Sequence, residues 1–130
     1  MTSIDEYHIL KSGSEGFLDS VQYQLDKGYF TVASSSFHRS SELFLKSRLL
    51  IHGEEYPRTH SLESLIEIIA NATEKKCPAR EFLNTYIMEL ALLEDAYITS
   101  RYFSREYSRE EIIRLQRVAK EVVNAIGNSC

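Results

Sequence analysis

Helix-breaking residues are scarce in this sequence, and that scarcity constrains the fold more than any other feature. The 130 residues include only two prolines and five glycines, so long stretches of chain run without interruption. No stretch alternates apolar and polar residues over a useful length, and no Asn-Gly or Asp-Gly pair marks a hairpin. The sequence therefore predicts an all-α protein.

The few breaks divide the chain into five predicted helices. Gly28, Gly53 and Gly127 each follow an apolar-periodic run, and each fits the left-handed position that ends a helix. Pro78 fits a first helical turn, where its missing N–H is not needed. The predicted helices cover residues 4–27, 29–52, 62–72, 79–103 and 109–126.

Capping signals and apolar stripes support these helices. Ser3 with Glu6, and Ser108 with Glu111, have the spacing of capping boxes. Apolar or small residues recur at three-to-four spacing in the longer helices: Ala33, Phe37, Ser40, Phe44, Ser47 and Ile51; Phe82, Tyr86, Leu90, Leu93 and Tyr97; Ile112, Leu115, Ala119, Val122 and Ile126. Helices of about 20 residues, each about 30 Å long, must pack antiparallel through such faces. We predict an up-and-down four-helix bundle with an additional short helix, forming a single domain over residues 1–130.

Composition excludes several classes of protein. With 43% hydrophobic and 26% charged residues and two cysteines, the chain is not collagen-like, disordered or a disulfide scaffold. No apolar run reaches the roughly 18 residues of a membrane span, and the first ten residues lack the layout of a signal peptide. We therefore expect a cytoplasmic protein that does not enter a membrane.

Motifs for the common chemistries are missing. Cys77 and Cys130 form no Cys-x-x-Cys pair, which favours a structural or incidental role over a redox or zinc site. His38 and His52 would lie about 21 Å apart along one helix and cannot share a metal. No glycine-rich phosphate loop or Gly-flanked serine elbow occurs. We expect no metal, no cofactor and no catalytic residue from these patterns.

Residues 101–120 form a basic segment in an acidic chain. The chain carries a net charge of −4, yet this segment has six basic and three acidic residues, a local +3. Guanidinium groups beside aromatic rings are typical of sites that bind phosphates and stack on bases. The interleaved aromatic residues are Tyr97, Tyr102, Phe103 and Tyr107. A solvated helix face, with Glu110 paired to Arg114 at i,i+4, explains the same pattern, and both interpretations remain open.

Three motifs, in order, resemble those of one family. The second predicted helix contains Arg39-Ser40-Ser41-Glu42-Leu43-Phe44-Leu45-Lys46, similar to a Glu-x-x-x-Lys signature helix. Tyr56-Pro57-Arg58-Thr59-His60-Ser61-Leu62 is similar to a Pro-x-Thr-His-Ser-Leu entry into a short helix. Tyr97-Ile98-Thr99-Ser100-Arg101-Tyr102 is similar to a Tyr-x-x-x-Arg-Tyr helix end. Over about residues 10–126 the chain resembles a HEPN domain, the higher eukaryotes and prokaryotes nucleotide-binding domain.

The resemblance implies a helical bundle that dimerises and that, in prokaryotes, is often paired with a minimal nucleotidyltransferase. Many members are ribonucleases or toxins that use an Arg, four to six residues, then a His. Here the positions at that spacing after Arg101 are Glu106, Tyr107 and Ser108, and no His follows His60. Phe103 also stands where the family commonly has Pro. The resemblance therefore implies a member without the nuclease histidine.

Our first hypothesis is a non-catalytic homodimer that binds a nucleotide or RNA phosphate, or docks a nucleotidyltransferase partner in a toxin-antitoxin-like pair. The binding residues would be Arg101, Tyr102, Tyr97, Arg105 and Tyr107. Positioning residues would be Glu42, Lys46 and His60, for which firm packing is the alternative role. Two other hypotheses remain: a metal-independent ribonuclease toxin in which Tyr107 or His60 replaces the missing histidine, and a purely structural partner subunit.

Overall fold

Five helices make up the fold in a computed structural model that describes residues 2–73, 76–102, 105–127 and 130. The helices are α1 (Ser3–Asp26), α2 (Phe30–Ile51), α3 (Leu62–Thr73), α4 (Ala79–Tyr102) and α5 (Arg109–Gly127). The described ranges contain no strand. The all-α prediction is confirmed, as is the additional short helix, which is α3. Phe103, the predicted last residue of the fourth helix, lies outside the described residues.

Two of the three glycines expected to end helices do so. Gly28 and Gly53 have φ values of +76° and +73°, the left-handed conformation that favours glycine. The prediction for Gly127 is wrong, because this residue is the last of α5 and does not have a positive φ. A Cβ at Gly127 would lie 3.0 Å from Cζ of Phe44. The absence of a side chain therefore lets the end of α5 approach α2.

One of the two predicted capping boxes is correct. At α5 the Ser108 amide donates to Oε1 of Glu111 at 3.1 Å, and the Glu111 amide donates to Oγ of Ser108 at 3.2 Å. At α1 the box consists of Thr2 and Asp5 instead of Ser3 and Glu6. The carboxylate of Glu6 accepts a hydrogen bond from the Tyr56 hydroxyl, so it is held by a tertiary contact.

Helix α2 is the centre of the bundle. It packs against each of the other four helices, whereas α1 packs only against α2 among the described residues. Small residues bring α1 and α2 together: the Ser14 and Ser40 hydroxyls each donate to the other residue's carbonyl, at 2.8 and 2.9 Å. Only Ser14 and Val21 of α1 are buried. The core lies among α2, α3, α4 and α5, and the α5 stripe predicted from sequence is buried throughout.

A disulfide bond joins Cys77, just before α4, to Cys130 near the end of the chain. The two cysteines are separated by 53 positions, and the sequence pattern gave no sign of their pairing. The ring of His52, after α2, also lies against this end of the chain, with Nε2 donating to the Cys130 carbonyl at 2.5 Å. No helix in the described ranges is both long and apolar enough to span a bilayer.

Candidate functional site

Arg101 lies in the last turn of α4 beside a shallow recess. The recess has a volume of about 290 Å³ and is lined by Thr31, Val32 and Ser35 of α2 and by Ser100 and Arg101 of α4. Arg101 is solvent-exposed, and no carboxylate within the described part of the chain forms an ion pair with it. Its guanidinium is therefore a free cation at the edge of a concave surface.

The walls of this recess combine hydroxyl groups with the apolar side chain of Val32. Thr31 Oγ1 donates to the Arg105 carbonyl at 2.9 Å, which ties the start of α2 to the segment after α4. Ser100 Oγ donates to the Tyr97 carbonyl at 3.0 Å. Helix α2 begins here with no side-chain cap and no acidic residue in its first turn. The partial positive charge of the α2 N-terminus therefore lies near Arg101, while Glu106 lines the neighbouring surface around Gly28, Phe30 and Thr31.

The ring of Tyr97 holds Arg101 in place. The Arg101 Cζ lies 4.5 Å from the Tyr97 ring centroid, a cation–π contact. His60 stacks on the same ring with centroids 4.3 Å apart, and His38 lies against it at 4.9 Å. Tyr97 is thus half-buried among three side chains, and its ring is occupied by these contacts instead of being open to a base.

Glu42 connects this aromatic stack to the core. Its carboxylate has no solvent exposure. Oε1 accepts a hydrogen bond from His60 Nδ1 at 2.8 Å, while Oε2 accepts from Lys46 Nζ at 3.0 Å and from Arg39 Nη1 at 2.7 Å. Burial opposes ionisation, but the hydrogen bonds from His60 and Lys46 and the charges of Lys46 and Arg39 outweigh it and lower the pKa of Glu42. Glu42 is therefore an ionised hub that fixes three side chains.

His38 holds the backbone at His60, in the connection between α2 and α3. It is completely buried, and its Nε2 donates to the His60 carbonyl at 3.0 Å. Its Nδ1 has no hydrogen-bond partner in the described residues. Desolvation lowers the pKa of His38 to about 4, so the ring is neutral at physiological pH.

The other predicted binding residues have different surroundings. Tyr102 is 72% exposed at the end of α4 and is free to contact a ligand. Arg105 forms an ion pair with Glu111, and its Cζ lies 4.3 Å from the Tyr107 ring centroid. The Tyr107 ring is only 5% exposed, and its hydroxyl has no partner in the described residues. Arg105 and Tyr107 therefore hold the segment between α4 and α5 against the bundle.

Sequence reasoning missed part of this site. Arg39 lies one turn before Glu42 inside the motif already singled out, so its i,i+3 spacing was an available signal. For His38, Thr31 and Ser35 no comparable signal exists, because their neighbours are distant in sequence. The described residues contain no group of His, Cys, Asp or Glu side chains that could hold a metal ion.

Comparison with known proteins identifies one match. A protein-family model described as HEPN domain matches residues 7–129, nearly the whole chain. No curated protein and no solved structure matches significantly.

Proposed function

The chain belongs to the HEPN domain family, which is generally nucleotide- or RNA-related, and on that premise we propose that it binds a nucleotide or RNA phosphate without cleaving it. One observation carries the proposal: the Arg101 guanidinium lies over Tyr97 with no carboxylate partner in the described ranges, at the edge of a polar recess. We name the recess lined by Thr31, Ser35 and Arg101 the phosphate recess.

Phosphate suits the chemistry of this recess. A guanidinium presents planar N–H donors that match phosphate oxygens and stay charged at all physiological pH values. The hydroxyl of Ser35 and the uncapped start of α2 lie beside it, whereas the hydroxyl protons of Thr31 and Ser100 are donated to the Arg105 and Tyr97 carbonyls. Because no acidic side chain lines the recess, an anion entering it meets no like charge.

Neighbouring residues restrict Arg101, offer a ring for a base and fix the aromatic stack. Tyr97 restricts Arg101, so less side-chain entropy is lost when a phosphate binds. Tyr102 is exposed beside it and supplies a ring on which a base stacks. Glu42, Lys46 and His60 fix the stack from inside the bundle. Because the whole chain has a net charge of −4, binding depends on this local contact and weakens as salt rises.

Phosphate binding is tested by titrating a fluorescently labelled short RNA and a labelled adenine nucleotide in low salt. The variant Arg101→Gln should weaken binding about tenfold or more, the scale of one charge-assisted bidentate contact. The matched control is Arg80→Gln at the opposite end of α4, which should leave affinity within about twofold. Equal affinities for Arg101→Gln and the natural protein would refute the proposal.

The proposed active form is a homodimer. Helix α1 packs only against α2 in the described residues, and its remaining surface exposes large apolar side chains. These are Ile4, Ile9, Phe17 and Tyr23, between 38% and 69% exposed. A second copy that packs against this surface would remove them from water. Light scattering at micromolar concentration should give twice the mass of one chain, and Ile9→Lys should shift it towards the monomer.

A minimal nucleotidyltransferase is the proposed partner of this dimer, in a toxin-antitoxin-like pair within the cytoplasm. This part of the proposal is supported by the family resemblance alone. Co-purification with such an enzyme encoded next to it is the test. If RNA and nucleotides fail to bind while the enzyme still co-purifies, the protein is a purely structural subunit.

A ribonuclease activity is the second candidate, and the Glu42–His60 hydrogen bond favours it. With Nδ1 donating to Glu42, the remaining nitrogen Nε2 is an acceptor on a ring whose side chain is 48% exposed. Nε2 would take the proton of a ribose 2′-hydroxyl. The oxygen would attack phosphorus as the bond to the 5′ oxygen breaks, and the leaving 5′ oxygen would take a proton from solvent water, giving a 2′,3′-cyclic phosphate and a 5′-hydroxyl. Arg101, held on the same Tyr97 ring, would stabilise the charge on the phosphoryl oxygens.

Incubation with total RNA in the presence of a chelator distinguishes the two candidates. Intact RNA supports the binding protein. Cleavage that is lost in both Arg101→Ala and His60→Gln, with Arg80→Gln unchanged, supports the ribonuclease. Circular dichroism of each variant shows that loss of cleavage does not reflect loss of fold.

A further inference from the structure

A second groove lies between α4 and α5, separate from the phosphate recess. Its volume is about 610 Å³. Its α4 residues end at Leu92, nine positions before Arg101, which is about 14 Å along a helix. We call this groove the α4–α5 groove.

Apolar side chains form the walls of the α4–α5 groove. Tyr86, Met88 and Leu92 line it from α4, and Val118 lines it from α5. Tyr86 has non-helical dihedrals (φ −110°, ψ 19°), so α4 kinks where the groove lies, and its ring stacks on Phe82 at 4.7 Å. Met88 is 77% exposed to solvent, although its side chain is apolar and conformationally adaptable. Covering such a surface with an apolar molecule removes it from water and lowers the free energy.

Two guanidinium groups, those of Arg114 and Arg117, line the same groove. Arg114 and Arg117 are one turn apart on α5 and therefore share a helix face. Glu110 and Glu121 stand at i,i+4 spacing to them, yet neither arginine forms an ion pair with a carboxylate of the described residues. The Glu110–Arg114 pair of the solvated-face interpretation is thus not formed among the described residues. Glu89 is the single carboxylate on the lining, so the groove carries a net positive charge.

We propose that the α4–α5 groove binds a small amphipathic organic anion, a molecule with an aromatic or alkyl body and one carboxylate, phosphate or sulfonate group. The body contacts Tyr86, Leu92 and Val118, and the anionic group contacts Arg114 and Arg117. The groove volume lies within the range of about 300–1,000 Å³ that holds organic ligands.

The extent of the lining favours a small molecule over a partner helix. The α4 lining runs from Tyr86 to Leu92, about 9 Å of helix, and the α5 lining runs from Arg114 to Val118, about 6 Å. A helix bound in a groove contacts it through residues i to i+7, which span about 10.5 Å of that helix. The phosphate recess differs in its lining, because three of its five described lining residues carry a hydroxyl group and none of the five is aromatic. The two sites therefore select different ligands, and this inference does not rest on the proposed function.

The probe for the experiment is 1-anilinonaphthalene-8-sulfonate, which combines an aromatic body with one anionic group and becomes fluorescent in apolar surroundings. The natural protein should bind it saturably. The double variant Arg114→Gln/Arg117→Gln should weaken binding about tenfold. Met88→Glu, which adds a negative charge at an exposed position, should weaken it similarly, while Lys120→Gln on the same helix should leave it unchanged.

Competition identifies the ligand chemistry. Decanoate and 1-naphthyl phosphate should displace the probe, and decanol, which lacks the charge, should do so at least about tenfold less well. Displacement by decanoate alone assigns an alkyl ligand, and displacement by naphthyl phosphate alone an aromatic one. Thermal unfolding must show that each variant is folded. The proposal is overturned by unaltered probe binding in both groove variants, by an equal effect of decanol, or by displacement only with an acidic helical peptide.

Discussion

Glu42 is the residue with the strictest requirements, because a carboxylate without solvent exposure must obtain all its stabilisation from neighbours. Three donors supply it: His60, Lys46 and Arg39. Two of them make a second contact: His60 stacks on Tyr97, and Lys46 lies over the Tyr56 ring at 5.4 Å. The network therefore couples the α2 core to the site around Arg101.

Replacing Glu42 by Ala should lower the free energy of unfolding by about 3–5 kcal/mol, because the ammonium group of Lys46 then loses its buried ion-pair partner. Urea unfolding followed by circular dichroism measures this change. Glu15→Ala, at an exposed position of α1, is the control and should change stability by less than about 0.5 kcal/mol. A loss below about 1 kcal/mol for Glu42→Ala would contradict a hub role.

His38 should make stability depend on pH. Its folded-state pKa of about 4 lies below the unfolded value near 6.5, so protons bind preferentially to the unfolded chain. The stabilisation is complete above pH 6.5 and is lost as pH falls towards 4. Between pH 7 and pH 5 the loss from this residue is about 2 kcal/mol. The lowered pKa of Glu42 adds a further loss in more acidic solution.

The matched variant for this prediction is His38→Gln, whose side-chain amide can still donate to the His60 carbonyl. Urea unfolding at pH 7 and pH 5 should show a smaller decline in the variant than in the natural protein. An unchanged decline would mean that His38 keeps an ordinary pKa in the folded state.

At the scale of elements, capping residues near a helix end determine where the helix begins, unless a tertiary contact binds one of them. Ser108 and Glu111 form their predicted box because no distant group competes for Ser108. Glu6 is drawn to Tyr56, and its hydrogen bond raises the Tyr56 pKa to about 12. The cap of α1 accordingly moves to Thr2 and Asp5.

Ser108→Ala should lower the free energy of unfolding by about 1 kcal/mol, the usual value of an N-cap hydroxyl. Thermal unfolding measures the change. Ser3→Ala is the control, because Ser3 was predicted as a cap but does not act as one, and its effect should be close to zero. Equal effects of the two substitutions would argue against the assigned caps.

For the whole molecule, the Cys77–Cys130 disulfide joins the start of α4 to the end of the chain. Closing a loop of 53 positions lowers the conformational entropy of the unfolded chain. In the chain-entropy description this raises the free energy of the unfolded state by up to about 4 kcal/mol. Reducing environments such as the cytosol open such bonds. Cys130 belongs to the buried core and Cys77 packs against it, but most core residues come from α2 to α5, so the fold should survive reduction with lower stability.

The variant Cys77→Ser/Cys130→Ser should therefore remain helical and unfold at lower urea concentration, with a loss of about 2–4 kcal/mol. The natural protein with reductant should match it, and without reductant it should not. Coinciding curves in oxidised and reduced protein would show that the bond contributes no stability.

Much of the fold could be predicted from the sequence, whereas much of the site could not. The α5 stripe from Ile112 to Ile126 was predicted because helical period and burial are local properties of the chain. Arg101, Tyr97, Glu42 and His60 were identified by motif, but their connection was not. Tyr107 was predicted to contact phosphate, and its burial against Arg105 depends on how the segment before α5 returns to the bundle.

By itself the sequence determined the helical class, the number of helices and most of their ends, since periodicity, caps and glycines act within a few residues. Tertiary structure decided which distant side chains meet: Glu42 with His60, the start of α2 with the segment after α4, and Cys77 with Cys130. Those contacts join residues between 18 and 74 positions apart. Long-range contacts arise only when whole helices pack, because packing fixes which faces approach, and no local pattern carries that information.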